Sequence, residues 1–178
     1  MKFMETKLKG AYVIDIEPIE DERGFFARSW CQHEFTERGL NPNLVQCNIS
    51  FNLKKGTLRG MHYQVKPHEE AKLVRCTRGV IYDVIVDIRP ESATFKEWIA
   101  VELSAENHKM LYIPEGFAHG FQTLEDNTEV SYQMSDFYHS ESARGFRWDD
   151  LAFTIDWSVT EDLIISLKDR QYSSFEEL

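Results

Sequence analysis

Long apolar runs are missing from this 178-residue chain, and their absence argues against a helical membrane protein. No uncharged apolar run approaches the roughly 18 residues that a membrane-spanning helix needs. The longest apolar stretch, residues 79–88, is interrupted by Asp83 and Asp87. Residues 1–7 also lack the apolar segment of a secretory signal. We therefore expect a protein that does not enter a membrane and that works in the cytoplasm.

Cysteine and basic charge are also scarce. The three cysteines, Cys31, Cys47 and Cys76, are widely spaced, so we expect reduced thiols rather than a disulfide framework. Lys and Arg total 20 against 30 Asp and Glu, a net charge of −10. Such a chain is a poor partner for nucleic acid, because duplex affinity comes mainly from neutralising phosphates. A small anionic ligand remains compatible if a few cationic side chains converge on one pocket.

Repeats, low-complexity tracts and Gly/Ser linkers are absent too, so the sequence predicts one domain over residues 1–178. Hydrophobic residues make up 42% of the chain and aromatic residues 13%, which is too rich for a disordered protein. A chain of this length can bury a substantial core without disulfides or metals.

Short β-like segments dominate what is present. The ten candidate strands are residues 11–16, 24–30, 44–50, 57–65, 72–77, 80–88, 98–103, 109–113, 118–123 and 129–134. Their regular spacing predicts an all-β sandwich, jelly roll or barrel. In the segment 80–88 one face is apolar and the other carries Asp83 and Asp87, so this second face is expected to look into something polar. A short helix is expected at 32–38, ended by Gly39, and the chain from residue 160 is read as helix or irregular.

Two motifs place histidines beside turn signals. In GTLRGMHYQ, residues 56–64, Arg59 and His62 would face opposite sides of a flat strand. Gly60 between them is a candidate bulge that could turn both side chains to one side. In IPEGFAHGF, residues 113–121, a Pro-x-Gly turn precedes His119. Taken singly, these residues are more simply a surface arginine and two hydrogen-bonded core histidines.

The same two motifs resemble halves of the two cupin motifs, which raises the question of a metal. A metal-binding cupin usually has a second histidine two residues after the first, where this chain has Gln64. Glu69 or Glu70 could substitute, but His62 and His119 would remain the only convincing ligands. Tight transition-metal sites generally use about three or four protein ligands. We expect no functional metal at these histidines.

Five more residues are candidates for ligand chemistry: Arg23 in the turn DERGFF, Lys72 in an apolar strand, Tyr132 in EVSYQM, and the pair Lys168–Asp169. Each also has an ordinary interpretation, respectively a solvated turn residue, a lysine on a solvent-facing strand surface, a packing tyrosine and a solvated charged pair. A lysine buried in an apolar strand costs free energy unless it meets an anion.

In this order, the motifs resemble the dTDP-4-dehydrorhamnose 3,5-epimerase family. The matching segments are DERGFF (21–26), QCNIS (46–50), LRGMHYQ (58–64), KLVRC (72–76), DVIVDIR (83–89), SATF (92–95), LSAEN (103–107), IPEGFAHGF (113–121), WDD (148–150) and LKD (167–169). The resemblance implies an all-β, cupin-like jelly-roll barrel with short peripheral helices. It also implies a homodimer that uses no cofactor and no metal.

The resemblance further implies a reaction on a nucleotide-linked 4-keto-6-deoxy sugar. The C4 ketone acidifies the hydrogens on C3 and C5, a base removes one, and an acid returns a proton to the opposite face of the resulting enolate. By resemblance His62 is the base and Asp169 its partner. Tyr132 is then the acid on the other face, and Lys72 stabilises the negative C4 oxygen.

Substrate-binding positions follow from the same resemblance. They fall on Arg23, Phe26, Gln46, Asn48, Arg59, His119 and Lys168. The arginines suit a phosphate group, and the Arg23 segment is expected to come from the neighbouring subunit of the dimer. Asp83 is a weaker candidate for a supporting carboxylate.

Two positions depart from the family pattern: Arg28 and Ala143 stand where the rhamnose-pathway enzymes often carry glutamate. Because of these departures, the sequence does not specify which nucleotide and which sugar are bound. It also does not specify whether the configuration inverts at C3, at C5 or at both. A single-site 3- or 5-epimerase and a 3,4-ketoisomerase are the alternatives, although a ketoisomerase needs no acid such as Tyr132 on the opposite face. A non-catalytic sugar-nucleotide binder and a metal-dependent cupin oxygenase are less favoured.

Overall fold

Two β-sheets form the body of the protein in the computed structural model, which describes residues 1–175. The strands are β1 (Lys2–Glu5), β2 (Tyr12–Asp15), β3 (Ile19–Asp21), β4 (Gly24–Phe26), β5 (Gln46–Asn52), β6 (Thr57–Gln64), β7 (Lys72–Arg78), β8 (Val80–Asp87), β9 (Trp98–Ser104), β10 (Met110–Ile113), β11 (Phe117–Thr123), β12 (Thr128–Met134), β13 (Ala143–Gly145) and β14 (Ile164–Ile165). The helices are α1 (Gln32–Thr36) and α2 (Leu167–Arg170). No helix within the described residues is long and apolar enough to cross a membrane.

The sheet order explains how distant segments become neighbours. The first sheet runs β1-β2-β10-β7-β12-β5, and the second runs β13-β6-β11-β8-β9. The short strand β14 adds to β6 in parallel, whereas the strands within each sheet order pair antiparallel. The hairpin β3–β4 stands apart as a two-stranded ribbon. The predicted all-β architecture with short helices is confirmed.

The main apolar cluster draws on both sheets, which therefore pack face to face. Its buried members are Leu8, Ala11, Val74, Cys76, Ile81, Ile85, Leu103, Leu111, Ile113, Phe117, Phe121 and Val130. The outer face of the second sheet is covered by the segment that follows β13, through Phe146, Phe153 and Trp157. The outer face of the first sheet is covered by Phe35 of α1 and by Leu40.

The two faces of β8 behave as its alternation predicts. Ile81 and Ile85 join the cluster between the sheets, whereas Val84 and Val86 pack under the covering segment on the outside. Asp83 has the same parity as Ile81 and Ile85, so its carboxylate points into the interior, where it is fully buried. The face of β8 that carries both apolar and acidic residues thus contacts a polar side chain, as the sequence predicts; this contact is described below.

Each predicted strand has a counterpart in the structure, with changes at the ends. The segment predicted at 24–30 is a strand only over Gly24–Phe26, and the helix predicted at 32–38 is regular only over Gln32–Thr36. Gly39 follows the helix with a positive φ of 68°, as expected of a stop residue. The strands that prediction missed, β1, β3, β13 and β14, have only two to four residues each, too few to show an alternating pattern.

Candidate active site

A pocket of about 900 Å³ opens between the two sheets. Strands β5, β7 and β12 of the first sheet contribute one wall, β6 and β11 of the second sheet contribute the other, and α2 adds residues at the edge. All predicted site residues except Arg23 and Phe26 line it. They are Gln46, Asn48, Arg59, His62, Lys72, His119, Tyr132, Lys168 and Asp169.

A bulge in β6 turns Arg59 and His62 towards the same side. His62 pairs with His119 and Arg59 with Phe121, so β6 has one more residue than β11 in this interval. Gly60 occupies the bulge with φ of 141°, and a Cβ there would lie 2.6 Å from the Cα of Gly120. Only glycine accommodates both the backbone angle and this close approach. The predicted bulge is confirmed, and it brings both side chains to the pocket.

His62 and Asp169 form a hydrogen-bonded pair although 107 positions separate them. The Nε2 atom of His62 lies 2.7 Å from Oδ1 of Asp169. The first turn of α2 holds Asp169, whose backbone N–H donates to Oγ of Ser166 at 3.0 Å. Burial alone would raise the pKa of Asp169, but the hydrogen bond and charge of His62 outweigh it and lower that pKa. Asp169 is therefore a carboxylate at neutral pH and can orient the imidazole.

Tyr132 faces the same pocket from the opposite sheet. It lies on β12, paired with Asn48 of β5 and Val74 of β7, whereas His62 lies on β6 of the second sheet. Burial raises the pKa of Tyr132, and the nearby charge of Arg59 offsets only part of that increase. The phenol thus keeps its proton at neutral pH and is available as a donor.

Lys72 has an anionic partner that the sequence analysis missed. Its Nζ lies 2.8 Å from Oε1 of Glu70, and the two side chains are only 11% and 3% exposed. The other carboxylate oxygen of Glu70, Oε2, is buried and has no hydrogen-bond partner among residues 1–175. The sequence suggests Glu70 only as a substitute metal ligand. The signal for the ion pair was the spacing of two, since residues i and i+2 of an extended segment share a face.

His119 is both a buried core histidine and a pocket residue. Its Nε2 lies 2.7 Å from Oδ1 of Asp83, and both residues are almost fully buried. Asp83 thus anchors the ring from the interior of the sandwich, while the ring borders the pocket. The structural and the functional interpretations of His119 are therefore compatible.

Cationic side chains concentrate in the pocket of this acidic protein. Arg59, Lys72, Arg144 and Lys168 all line it. The carboxylates among the lining residues, Glu70 and Asp169, already have a lysine or histidine partner. A hydrogen bond to Tyr172 raises the pKa of Lys168, which keeps its positive charge. This local excess of positive charge favours an anionic ligand.

Two predicted binding residues lie away from the pocket of their own chain. Arg23 and Phe26 belong to the projecting hairpin β3–β4, where their exposed fractions are 83% for the Arg23 side chain and 74% for Phe26. Arg23 forms an ion pair with Asp21 within the hairpin. Of the two departures from the family pattern, Ala143 lines the pocket, whereas the guanidinium group of Arg28 donates a hydrogen bond to the carboxylate of Glu34 in α1.

Several lining residues were not predicted from sequence. Besides Glu70 they include Tyr63, Tyr138, Arg144, Ser166 and Tyr172. Tyr138 precedes β13 and Arg144 lies in it, whereas Ser166 and Tyr172 flank α2. These segments come late in the sequence and pass beside β6, which brings them to the pocket. No local sequence pattern predicts that course of the chain.

Comparison with known proteins identifies the family of this chain. The family profile for dTDP-4-dehydrorhamnose 3,5-epimerase matches residues 5–177. The chain belongs to this family. A relative described as dTDP-4-dehydrorhamnose 3,5-epimerase, from Methanothermobacter thermautotrophicus, is 44% identical over 99% of this chain and 95% of its own length. The resemblance recognised in the sequence motifs is confirmed.

Solved structures of family members have the same fold. The dTDP-4-dehydrorhamnose 3,5-epimerase of Elizabethkingia anophelis superimposes with a TM-score of 0.97 at 42% identity, covering 99% of this chain and 97% of the other. The dTDP-6-deoxy-D-glucose-3,5-epimerase of Legionella pneumophila, solved with dTDP-4-keto-L-rhamnose, gives a TM-score of 0.91 at 37% identity, covering 97% and 92%. The predicted cupin-like jelly roll is confirmed.

Proposed function

We propose that this protein is an isomerase that epimerises C3 and C5 of a dTDP-linked 4-keto-6-deoxy sugar. One observation carries the proposal: His62, which is paired with Asp169 of α2, and Tyr132 lie on opposite sheets and face one pocket. A base on one wall and an acid on the other suit removal of a proton from one face of a carbon and its return to the other. Family membership supplies the substrate class.

His62 acts as the general base. A neutral imidazole has the proton affinity needed to remove an acidic hydrogen next to a ketone near neutral pH. When the ring takes the proton it becomes a cation, and the carboxylate of Asp169 at 2.7 Å stabilises that charge. The same hydrogen bond fixes the orientation of the ring, because Asp169 is buried and held by α2.

Lys72 stabilises the negative charge that develops on the C4 oxygen. Its ammonium group is nearly buried on the pocket wall, where low solvent access strengthens its interaction with an enolate oxygen. Glu70 holds the ammonium in place through one oxygen. The pyrophosphate of the substrate is bound by other cations that line the pocket, for which Arg59 and Lys168 are the candidates by family resemblance.

Replacing Tyr132 with phenylalanine separates the two proton transfers. We expect product formation to fall about 10²-fold or more, because general acid help is lost. Exchange of substrate hydrogens with heavy water should fall far less, since His62 can still remove and return a proton on its own face. Proton NMR of one reaction in heavy water measures both rates. Tyr82→Phe, on the outer face of the second sheet, is the matched control; equal loss of both rates in Tyr132→Phe would contradict the assignment.

We further propose a homodimer in which the β3–β4 hairpin of one subunit completes the pocket of the other. Ile19 and Phe26 on the hairpin are 71% and 74% exposed. Strand β5, at the edge of the first sheet, exposes Ile49 by 69%. Exposed large apolar side chains of this kind are typical of a protein–protein contact. Arg23 at the tip of the hairpin would then supply a further cation to the neighbouring pocket.

Mixing two inactive variants tests this arrangement. We expect Arg23→Ala and His62→Asn each to lose most activity as homodimers. Unfolded and refolded together, they should form mixed dimers with one intact pocket, built from His62 of one subunit and Arg23 of the other. About a quarter of the wild-type activity should return at statistical mixing. Absence of any recovery, with mixed dimers verified by mass spectrometry, would show that Arg23 does not act across the interface.

We also propose that the chain works as one domain in the cytoplasm. The cysteines Cys31, Cys47 and Cys76 are unpaired, and Cys47 is exposed. Exposed free thiols suit a reducing compartment.

A further inference from the structure

A cluster of two histidines and a carboxylate lies beside the pocket and takes no part in the proposed reaction. His68 follows β6, and Asp136 and His139 follow β12. One ligand atom from each of the three residues lies within 4.8 Å of the other two. Their side chains are about a third exposed, at 30%, 33% and 30% respectively. They are therefore open to an ion from solvent but partly shielded by the two loops.

The rings of His68 and His139 stack closely. Their centroids are 3.5 Å apart and their planes differ by 15°. The Nδ1 atom of His68 lies 3.6 Å from Oδ2 of Asp136, and Nδ1 of His139 lies 3.2 Å from Oε1 of Glu141. The nitrogen lone pairs of a neutral imidazole lie in the plane of the ring, so the two rings must turn out of this stacked arrangement to share one cation.

Hydrogen bonds hold the loops after β6 and β12 in place before any ion binds. The amide of Gln64, a buried side chain, donates to the carbonyl oxygen of His68 at 2.8 Å and accepts from the N–H of His139 at 2.6 Å. A second link joins Ala71 and Ser135: the N–H of Ala71 donates to Oγ of Ser135 at 2.8 Å, and the N–H of Ser135 donates to the carbonyl oxygen of Ala71 at 2.9 Å. Ligands on fixed backbones lose little conformational freedom when they bind an ion.

We propose that His68, Asp136 and His139 form a binding site for a divalent transition metal, best matched by Zn²⁺. Two imidazole nitrogens and a carboxylate oxygen are a ligand set that zinc accepts, with a fourth position left for water or for Glu141. Tetrahedral zinc places its ligand atoms about 3.4 Å apart, given bonds of about 2.1 Å. Rotation about the terminal torsions of these side chains, which are broad, closes the remaining gap.

The bound ion would join the two loops at the edge of the pocket. Tyr138, directly before His139, lines the pocket, and its N–H donates to Oε1 of Gln46 at 2.8 Å. Metal binding would stiffen the loop that carries Tyr138 without touching His62, Asp169 or Lys72. The site is thus a structural one, independent of the proposed reaction.

Metal titration of the whole protein tests the proposal. Purified protein, freed of metal with a chelator, is titrated with Zn²⁺ in competition with a chromogenic indicator. We expect one equivalent to bind with micromolar or tighter affinity, and His68→Asn and His139→Asn each to weaken it at least tenfold. Titration with Co²⁺ should give the intense visible absorption of tetrahedral coordination in the wild type and lose it in both variants. Circular dichroism of the metal-free variants checks that they fold.

His33→Asn, on the exposed surface of α1, is the matched control and should bind Zn²⁺ as the wild type does. His62→Asn should also bind normally, because the pocket pair is separate from this cluster. Failure of the wild type to bind one equivalent would overturn the proposal. So would unchanged binding in folded His68→Asn and His139→Asn, or loss of the equivalent in His62→Asn.

Discussion

Replacing His62 with asparagine is expected to lower kcat on the order of 10³-fold, within the range that general acid–base groups contribute. Asparagine keeps a polar group near the buried carboxylate of Asp169 but cannot accept a proton from carbon. Both epimerisation and exchange of substrate hydrogens with solvent should fall together, because every proton abstraction assigned to the pair begins at His62. Steady-state kinetics and NMR exchange rates measure the two losses.

The control for this variant is His33→Asn, which removes an exposed histidine of α1. It should leave both rates at the wild-type value. The thermal midpoint of His62→Asn should fall modestly, because the buried carboxylate of Asp169 loses the imidazole that lowers its pKa, although the His62 side chain itself is 42% exposed and adds little buried packing. A folded His62→Asn protein with more than about a tenth of the wild-type kcat would contradict the assignment of the base.

Replacing Lys72 with methionine is expected to lower kcat about 10²- to 10³-fold, the loss typical of one removed oxyanion donor. Methionine fills a similar volume but leaves the developing charge on the C4 oxygen without a cation. It also strands the carboxylate of Glu70, which is 3% exposed and has Lys72 as its ion-pair partner. Breaking a buried ion pair in this way costs about 3–5 kcal/mol, so the thermal midpoint should fall as well.

The double variant Lys72→Met with Glu70→Gln separates these two effects. Glutamine carries no charge, so the stranded carboxylate disappears and most of the lost stability should return. The loss in kcat should persist, because no cation faces the C4 oxygen. Denaturant unfolding and steady-state kinetics give the two readouts. Recovery of near-wild-type kcat in the double variant would show that Lys72 matters for folding rather than for the enolate.

Local sequence pattern was enough to predict the features of the site that arise within a single strand. The odd separation of Arg59 and His62, with Gly60 between them, predicted the bulge that the register of β6 and β11 contains. The alternation of β8 predicted a polar environment on the face of Asp83, and the partner there is His119. Both inferences rest on the fixed period of a strand, which sequence alone determines.

Contacts between segments that are far apart in the sequence could not be predicted from local sequence pattern. His62 and Asp169 meet because β14 runs beside β6 and delivers α2 to the pocket, yet β14 has only two residues. His68 and His139 stack because the loops after β6 and β12 converge, and neither loop has a periodic signal. Such placements depend on sheet order. Family resemblance anticipated the first pair, whereas the second was found only in the folded chain.

The exposed hairpin β3–β4 marks another limit. Its motif DERGFF predicted ligand-binding residues, but Arg23 and Phe26 do not line the pocket of their own chain. The family resemblance assigns the Arg23 segment to the neighbouring subunit, and that assignment stays a prediction.

The most direct test of the account is proton NMR of the wild-type protein with dTDP-4-keto-6-deoxyglucose in heavy water. We expect the C3 and C5 proton signals both to disappear as the L-lyxo sugar forms, since each carbon passes through an enolate and takes up deuterium. Loss of one signal alone would limit the reaction to one carbon. Persistence of both signals, in a folded protein that binds the nucleotide, would contradict the proposed epimerisation of this substrate.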